Sequence, residues 1–120
     1  MRKYFVTSIL IVIVLLCSSK SEAANWETDF EKALSGAKAS GKYILLDFSG
    51  SDWCGWCIRL EKEVFSQDAF KDFAEENLVC VLVDFPRAKE QTEEIKQQNL
   101  DLARKHSIRG YPTIIILSPD

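Results

Sequence analysis

The stretch SDWCGWC, Ser51 to Cys57, decides how the rest of this chain is read. It follows the apolar run YILLDF (Tyr43–Phe48) and precedes IRLEKEVF (Ile58–Phe65). A short apolar run bounded by turn formers predicts a buried strand, and Cys57, Leu60 and Val64 recur at the spacing of one helical face. Cys54 therefore falls at the start of a helix, where unpaired backbone N–H groups and the macrodipole favour negative charge such as a thiolate. Cys57 lies beside it on the helical surface, where Cβ atoms are about 5–6 Å apart. A disulfide wants about 3.5–4.5 Å, a gap that a modest adjustment of the first turn closes. So short a loop restricts the unfolded chain little, which favours reversible chemistry over stapling. Two other readings stand beside this one: half of a zinc site, and a purely structural disulfide. Zinc needs two further ligands, and the candidates are Cys80 within a strand and the lone His106.

Upstream, Trp26, Phe30, Ala33, Leu34 and Ala37 recur at helical spacing, and Gly41 supplies a stop. Downstream, SQDAFKDFAEEN continues as a helical piece carrying Phe70, Phe73 and Ala74. LVCVLVDF (Leu78–Phe85) is a second buried strand, and a charged run, 87–94, reads as a solvated loop. A helix follows near Glu93–His106 with Ile95, Leu102 and Ala103 inward, and YPTIIIL gives a third strand. Strands alternating with helices predict an α/β fold with parallel pairing of the first two strands. The second strand is apolar at nearly every position, as expected of one covered on both faces.

The N-terminus reads as an export signal. Arg2 and Lys3 are followed by an apolar run from Tyr4 to Cys17, and Ser21 and Ala23 occupy the small-residue places of a cleavage site between Ala23 and Ala24. The run is shorter than the roughly 20 residues a spanning helix wants, so membrane contact is expected only through this segment if it stays uncleaved. Residues 1–23 are thus predicted to be a signal peptide and 24–120 the domain, with a periplasmic or secreted location. The remaining 97 residues hold 12 basic and 17 acidic side chains, a formal charge of −5. Nothing basic and clustered remains, which argues against nucleic acid as a partner. Three cysteines are left, Cys54, Cys57 and Cys80. Oxidising conditions outside the cytoplasm readily join a close pair, and the odd one is read as an inert buried thiol.

With these residues in view the sequence resembles the thioredoxin superfamily, and within it the exported thioredoxin_7 type. LLDFSGSDWCGWC looks like the strand, loop and active-site helix start, with WCGWC where thioredoxin has Trp-Cys-Gly-Pro-Cys. SIRGYPTIIIL looks like the segment holding the family's cis-proline. The likeness covers residues 26–120. It implies a thioredoxin-like fold and a thiol–disulfide oxidoreductase needing no cofactor and no metal. Its partners would be proteins or peptides with thiols or disulfides, and a redox partner protein.

Carried over by residue, the resemblance makes Cys54 the exposed attacking thiolate and Cys57 the more buried resolving thiol, with a Cys54–Cys57 disulfide. Pro112 would take the cis bond facing them, and the backbone of Tyr111 would pair with an extended substrate. Asp47, a carboxylate inside an apolar strand, would relay the proton of Cys57, its pKa raised by burial. The alternative is a strand-end aspartate bonding nearby backbone. Trp53 would shape the substrate surface, and Trp56, replacing the family's proline, would contact partners. The family fold continues past Leu117 with a further strand and helix, so the domain reads as truncated after the strand following Pro112. Two alternative functions remain at this level: a binding or chaperone-like module that kept the fold, and a zinc-binding domain.

Overall fold

Tyr43–Ser49 (β1) forms the centre of the sheet, in a computed structural model that describes residues 25–120. The predicted signal segment lies outside the described residues. Leu78–Asp84 (β2) pairs with β1 in parallel, and Thr113–Leu117 (β3) pairs with it antiparallel, so the order is β2-β1-β3. The helices are Phe30–Ser40 (α1), Gly55–Leu60 (α2), Asp68–Asn77 (α3) and Glu93–Lys105 (α4). The parallel pair of the sequence reading is present, with Asp47 opposite Leu82 on one side and Ile114 on the other.

Side chains alternate across the sheet, and the two faces build two cores. Ile44, Leu46 and Phe48 point to one face with Val81 and Val83, packing with Ala33 and Ala37 of α1 and Leu102 of α4. Each fully buried side chain of this size contributes about 1.5–3 kcal/mol. Leu45 and Cys80 point the other way, against Ala74, Trp26 and Phe70. That alternation sends Asp47 and Ser49 to the same side as Leu45, beneath α2.

Capping follows the local sequence. The Asp29 carboxylate accepts the N–H of Lys32, the Thr92 hydroxyl accepts that of Ile95, and Gly41 ends α1 in the left-handed region at φ 69°. These are ordinary helix stops and starts, worth about 0.5–2 kcal/mol at a cap.

Three details depart from the sequence reading. α1 begins at Phe30, and Trp26 precedes it. There Glu27 borders β2, donating its N–H to the Cys80 carbonyl and accepting that of Leu82, each at 2.8 Å. Trp26 tilts against Phe65 and stacks on Phe70, with centroids 4.9 and 6.3 Å apart. Second, Glu61–Phe65 is a π-helical turn continuing α2. Its wider winding shifts the inward face by a residue, so Phe65 is buried and Val64, expected inward, is exposed. Third, Phe73 of α3 faces solvent.

Candidate active site

β1 leads into a turn, Gly50–Trp53, that delivers Cys54 to the start of α2. The N–H groups of Trp53 and Cys54 both donate to the Gly50 carbonyl, at 3.2 and 2.8 Å. A Cβ at position 50 would collide with the Trp53 indole, so glycine is what lets that ring fold back over the turn. Cys54 is extended (φ −82°, ψ 108°) and serves as the N-cap, its sulfur accepting the N–H of Cys57 at 3.2 Å. The two residues are joined as a disulfide, with Cα atoms 5.2 Å apart.

Cys54 is 7% exposed and Cys57 5%. Cys54, expected to be exposed, is instead buried like Cys57 in this disulfide-bonded pair. Trp56, between them, is the exposed member at 68%, and its ring lies 5.4 Å from the Arg59 guanidinium. The Tyr111–Pro112 bond is cis, and Pro112 lines a surface hollow with Trp56, Leu60 and Val64. The loop before β3 thus borders the cysteine helix.

Beneath α2 lies a second hollow of about 350 Å³, lined among others by Asp47, Cys57, Ile58 and Glu61. Asp47 is buried, and its Oδ1 has no hydrogen-bond partner. Burial pushes its carboxyl pKa from 3.8 to about 7, and the nearby charges of Glu61 and Asp84 push in the same direction. The Asp47 carboxyl and Cys57 both line this hollow. Cys80, in the strand next to β1, is buried and has no disulfide partner. Desolvation, and then Asp47, raise its thiol to about 11, which leaves it protonated and unreactive. His106 ends α4 with its edge toward Phe48, its pKa lowered by desolvation and then by Lys105.

The opposite side of the turn holds residues that the sequence reading passed over. The Asp52 carboxylate accepts the N–H groups of Arg87, Ala88 and Lys89 at 2.9, 2.7 and 2.9 Å. Those bonds, led by that of Arg87, draw its pKa down to about 2. Residues 87–89 are exposed, as the charge run implied, and are also tethered by Asp52. Asp84, at the end of β2, accepts from both the N–H and the hydroxyl of Ser51, tying the turn to the sheet. The Trp53 indole N–H donates to the Phe85 carbonyl at 2.7 Å, and its ring meets Tyr111 edge-on at 5.9 Å. A carboxylate ending an apolar run, as in LVCVLVD, was a usable signal for Asp84. Asp52 carried none, since its partners lie 35 to 37 residues away.

Among the described residues no group of three or more histidine, cysteine or acidic side chains gathers as a metal site, and no helix is long and apolar enough to cross a membrane.

A β1–turn–α2 unit carrying a paired Cys-Gly-Trp-Cys beside a cis-proline loop defines a class. The thioredoxin-like family model (Thioredoxin_7) matches residues 25–119, and the chain belongs to that family. It is 38% identical over 100 residues to the disulfide bond reductase DsbH of Chlamydia pneumoniae, covering 82% of this chain and 60% of that protein. It is also 38% identical over 98 residues to the thioredoxin-related protein DsbJ of the same organism, covering 82% of this chain and 28% of DsbJ. A solved DsbH oxidoreductase superposes with a TM-score of 0.75 at 37% identity, over 79% of this chain and 65% of that one. The chain thus spans about 60% of the length of the first of these relatives and less of the second.

Proposed function

We propose that this protein is an exported thiol–disulfide oxidoreductase acting on disulfides of proteins or peptides through Cys54 and Cys57. The observation that carries the reading is the bonded pair at the start of α2, with a buried carboxyl of near-neutral pKa sharing the hollow beneath it. The reductase name of the 38%-identical DsbH supports the same chemistry.

In the reducing direction the Cys54 thiolate attacks one sulfur of a substrate disulfide. A Cys54–substrate S–S bond forms, and the substrate's own S–S bond breaks, expelling its first thiolate. Asp47 then takes the proton of Cys57, whose thiolate attacks the Cys54 sulfur, breaks the mixed disulfide and expels the second substrate sulfur as a thiolate. The substrate gains two electrons, its two thiolates take up one proton from Asp47 and one from water, and the site ends as the Cys54–Cys57 disulfide. A dithiol redox partner resets it by the same exchange in reverse. Trp53 and Trp56 flank the reacting sulfurs, and the Tyr111 backbone before Pro112 takes an extended substrate segment.

The test is turnover of a disulfide-containing protein such as insulin by the purified chain with a dithiol donor. Wild type is expected to accelerate reduction and Cys54→Ser to abolish it; an equally active Cys54→Ser variant would refute the mechanism. Export is proposed from the pattern of residues 1–23. Its check is the N-terminus of the protein recovered outside the cytoplasm, expected at Ala24.

A further inference from the structure

One flank of the redox turn is cationic, against the formal charge of −3 of the whole chain. The Arg87 guanidinium lies over the Trp53 ring, 3.8 Å from its centroid, and Trp53 immediately precedes Cys54. Trp53 meets Tyr111, and Tyr111 tilts against Phe85 at 5.3 Å, which makes a continuous aromatic floor. That floor continues into an open hollow of about 320 Å³ with Arg109 on its margin beside Tyr111.

What distinguishes these two arginines is their lack of partners. Arg59 pairs with Glu63 at 2.8 Å and Arg104 with Asp101 at 3.3 Å. Among the described residues no carboxylate pairs with the side chain of Arg87 or Arg109. Asp52, a charge at the rim of the site, has its oxygens occupied by three backbone N–H groups rather than by the Arg87 guanidinium, and Lys89 offsets its charge. The hollow on the Cys57 side is lined by Asp47 and Glu61 together with Lys89. Carboxylates thus accompany the one cation there, whereas the Trp53–Tyr111 flank carries two arginines with no carboxylate paired to them.

We infer that the preferred substrates are disulfides flanked by acidic side chains, whose carboxylates are held by Arg87 and Arg109 while the peptide lies on Trp53 and Tyr111. The inference rests on the oxidoreductase reading above and specifies its substrate class. Exposed ion pairs are individually modest and screened by salt, so each arginine is expected to contribute about two- to fivefold. Such charges act largely by steering the encounter.

The experiment compares three synthetic peptides with the same intramolecular disulfide, flanked by glutamates, glutamines or lysines. Each is reduced by the full chain with a dithiol donor, at low and at raised salt. For wild type at low salt kcat/KM should fall from the acidic to the neutral to the basic peptide, and the spread should shrink with salt. Arg87→Gln and Arg109→Gln should each lower the acidic-to-neutral ratio about two- to fivefold, while Arg87→Lys and Arg109→Lys retain it. Ratios are taken within one variant, so a loss of folded protein cancels. Equal rates for the three peptides, or a ratio unmoved by the glutamine variants, would overturn the inference and leave the oxidoreductase reading intact. If wild type reduces none of the peptides and no insulin, the oxidoreductase reading itself falls.

Discussion

Asp47 lies just before the turn that carries Cys54 and Asp52 lies within it, and the fold treats them in opposite ways. Asp47 is fixed by β1, which turns it inward under α2, where an oxygen goes unpaired and its pKa rises to about 7. Asp52 is fixed by a distant loop, which supplies three N–H donors and pulls its pKa down to about 2. One carboxyl is poised to exchange a proton at neutral pH. The other is a permanent charge that holds the rim of the site in place. Residue type alone says nothing of this division of labour; the difference is in what the backbone brings to each oxygen.

The largest effect that can break this comparison is on stability. The folded protein holds the Asp47 proton more tightly than the unfolded chain between pH 3.8 and about 7. The contribution is therefore fully present below 3.8 and lost as pH rises through 7, a swing of about 4 kcal/mol at most. Urea denaturation across this range should show that fall in wild type, and Asp47→Asn should flatten it and be the more stable protein at pH 8. A variant as pH-dependent as wild type would mean that Asp47 does not carry the raised pKa. Next comes the rate. Loss of a general base costs 10²–10⁴-fold at most, and the solvent-accessible hollow allows water to substitute in part, so Asp47→Asn should slow the resolving step about 10–100-fold at pH 7. Stopped-flow mixing of the reduced protein with a disulfide peptide reads that step.

Asp52 has the opposite sign. Its lowered pKa means that the clamp is present above pH 3.8 and lost as pH falls toward 2. Hydrogen exchange at the amides of Arg87, Ala88 and Lys89 should be protected at neutral pH, and Asp52→Ala should remove that protection while the β1 amides stay protected. Unchanged protection would show that the loop is held by something else. The smallest effect is expected at Cys80, whose thiol stays protonated at working pH. Cys80→Ala should leave turnover unchanged and cost about 1 kcal/mol from the lost buried sulfur.

How far the sequence could be read follows the same division. β1, β2 and the cysteine helix were legible because their patterns are local: apolar runs between turn formers, then two cysteines three apart. Asp47 was legible for the same reason, as a carboxylate inside an apolar strand. Phe65 was not, because the π-helical turn at Glu61–Phe65 breaks the 3.6-residue period on which the choice of Val64 rested. The clamp of Asp52 on 87–89 was not legible either, since it joins segments 35 or more residues apart and a charge run gives no sign of its partner. The burial of Cys54 was not legible, because the sequence pattern places a residue at a helix start without showing what the rest of the fold lays over it.

The most direct test of the account is to find which sulfur meets the substrate. Reduced Cys57→Ser is mixed with a disulfide-containing peptide, and the covalent product is digested and mapped by mass spectrometry. A stable mixed disulfide on Cys54 is the predicted result. An adduct on Cys80, or none on a protein shown to be folded, would contradict it.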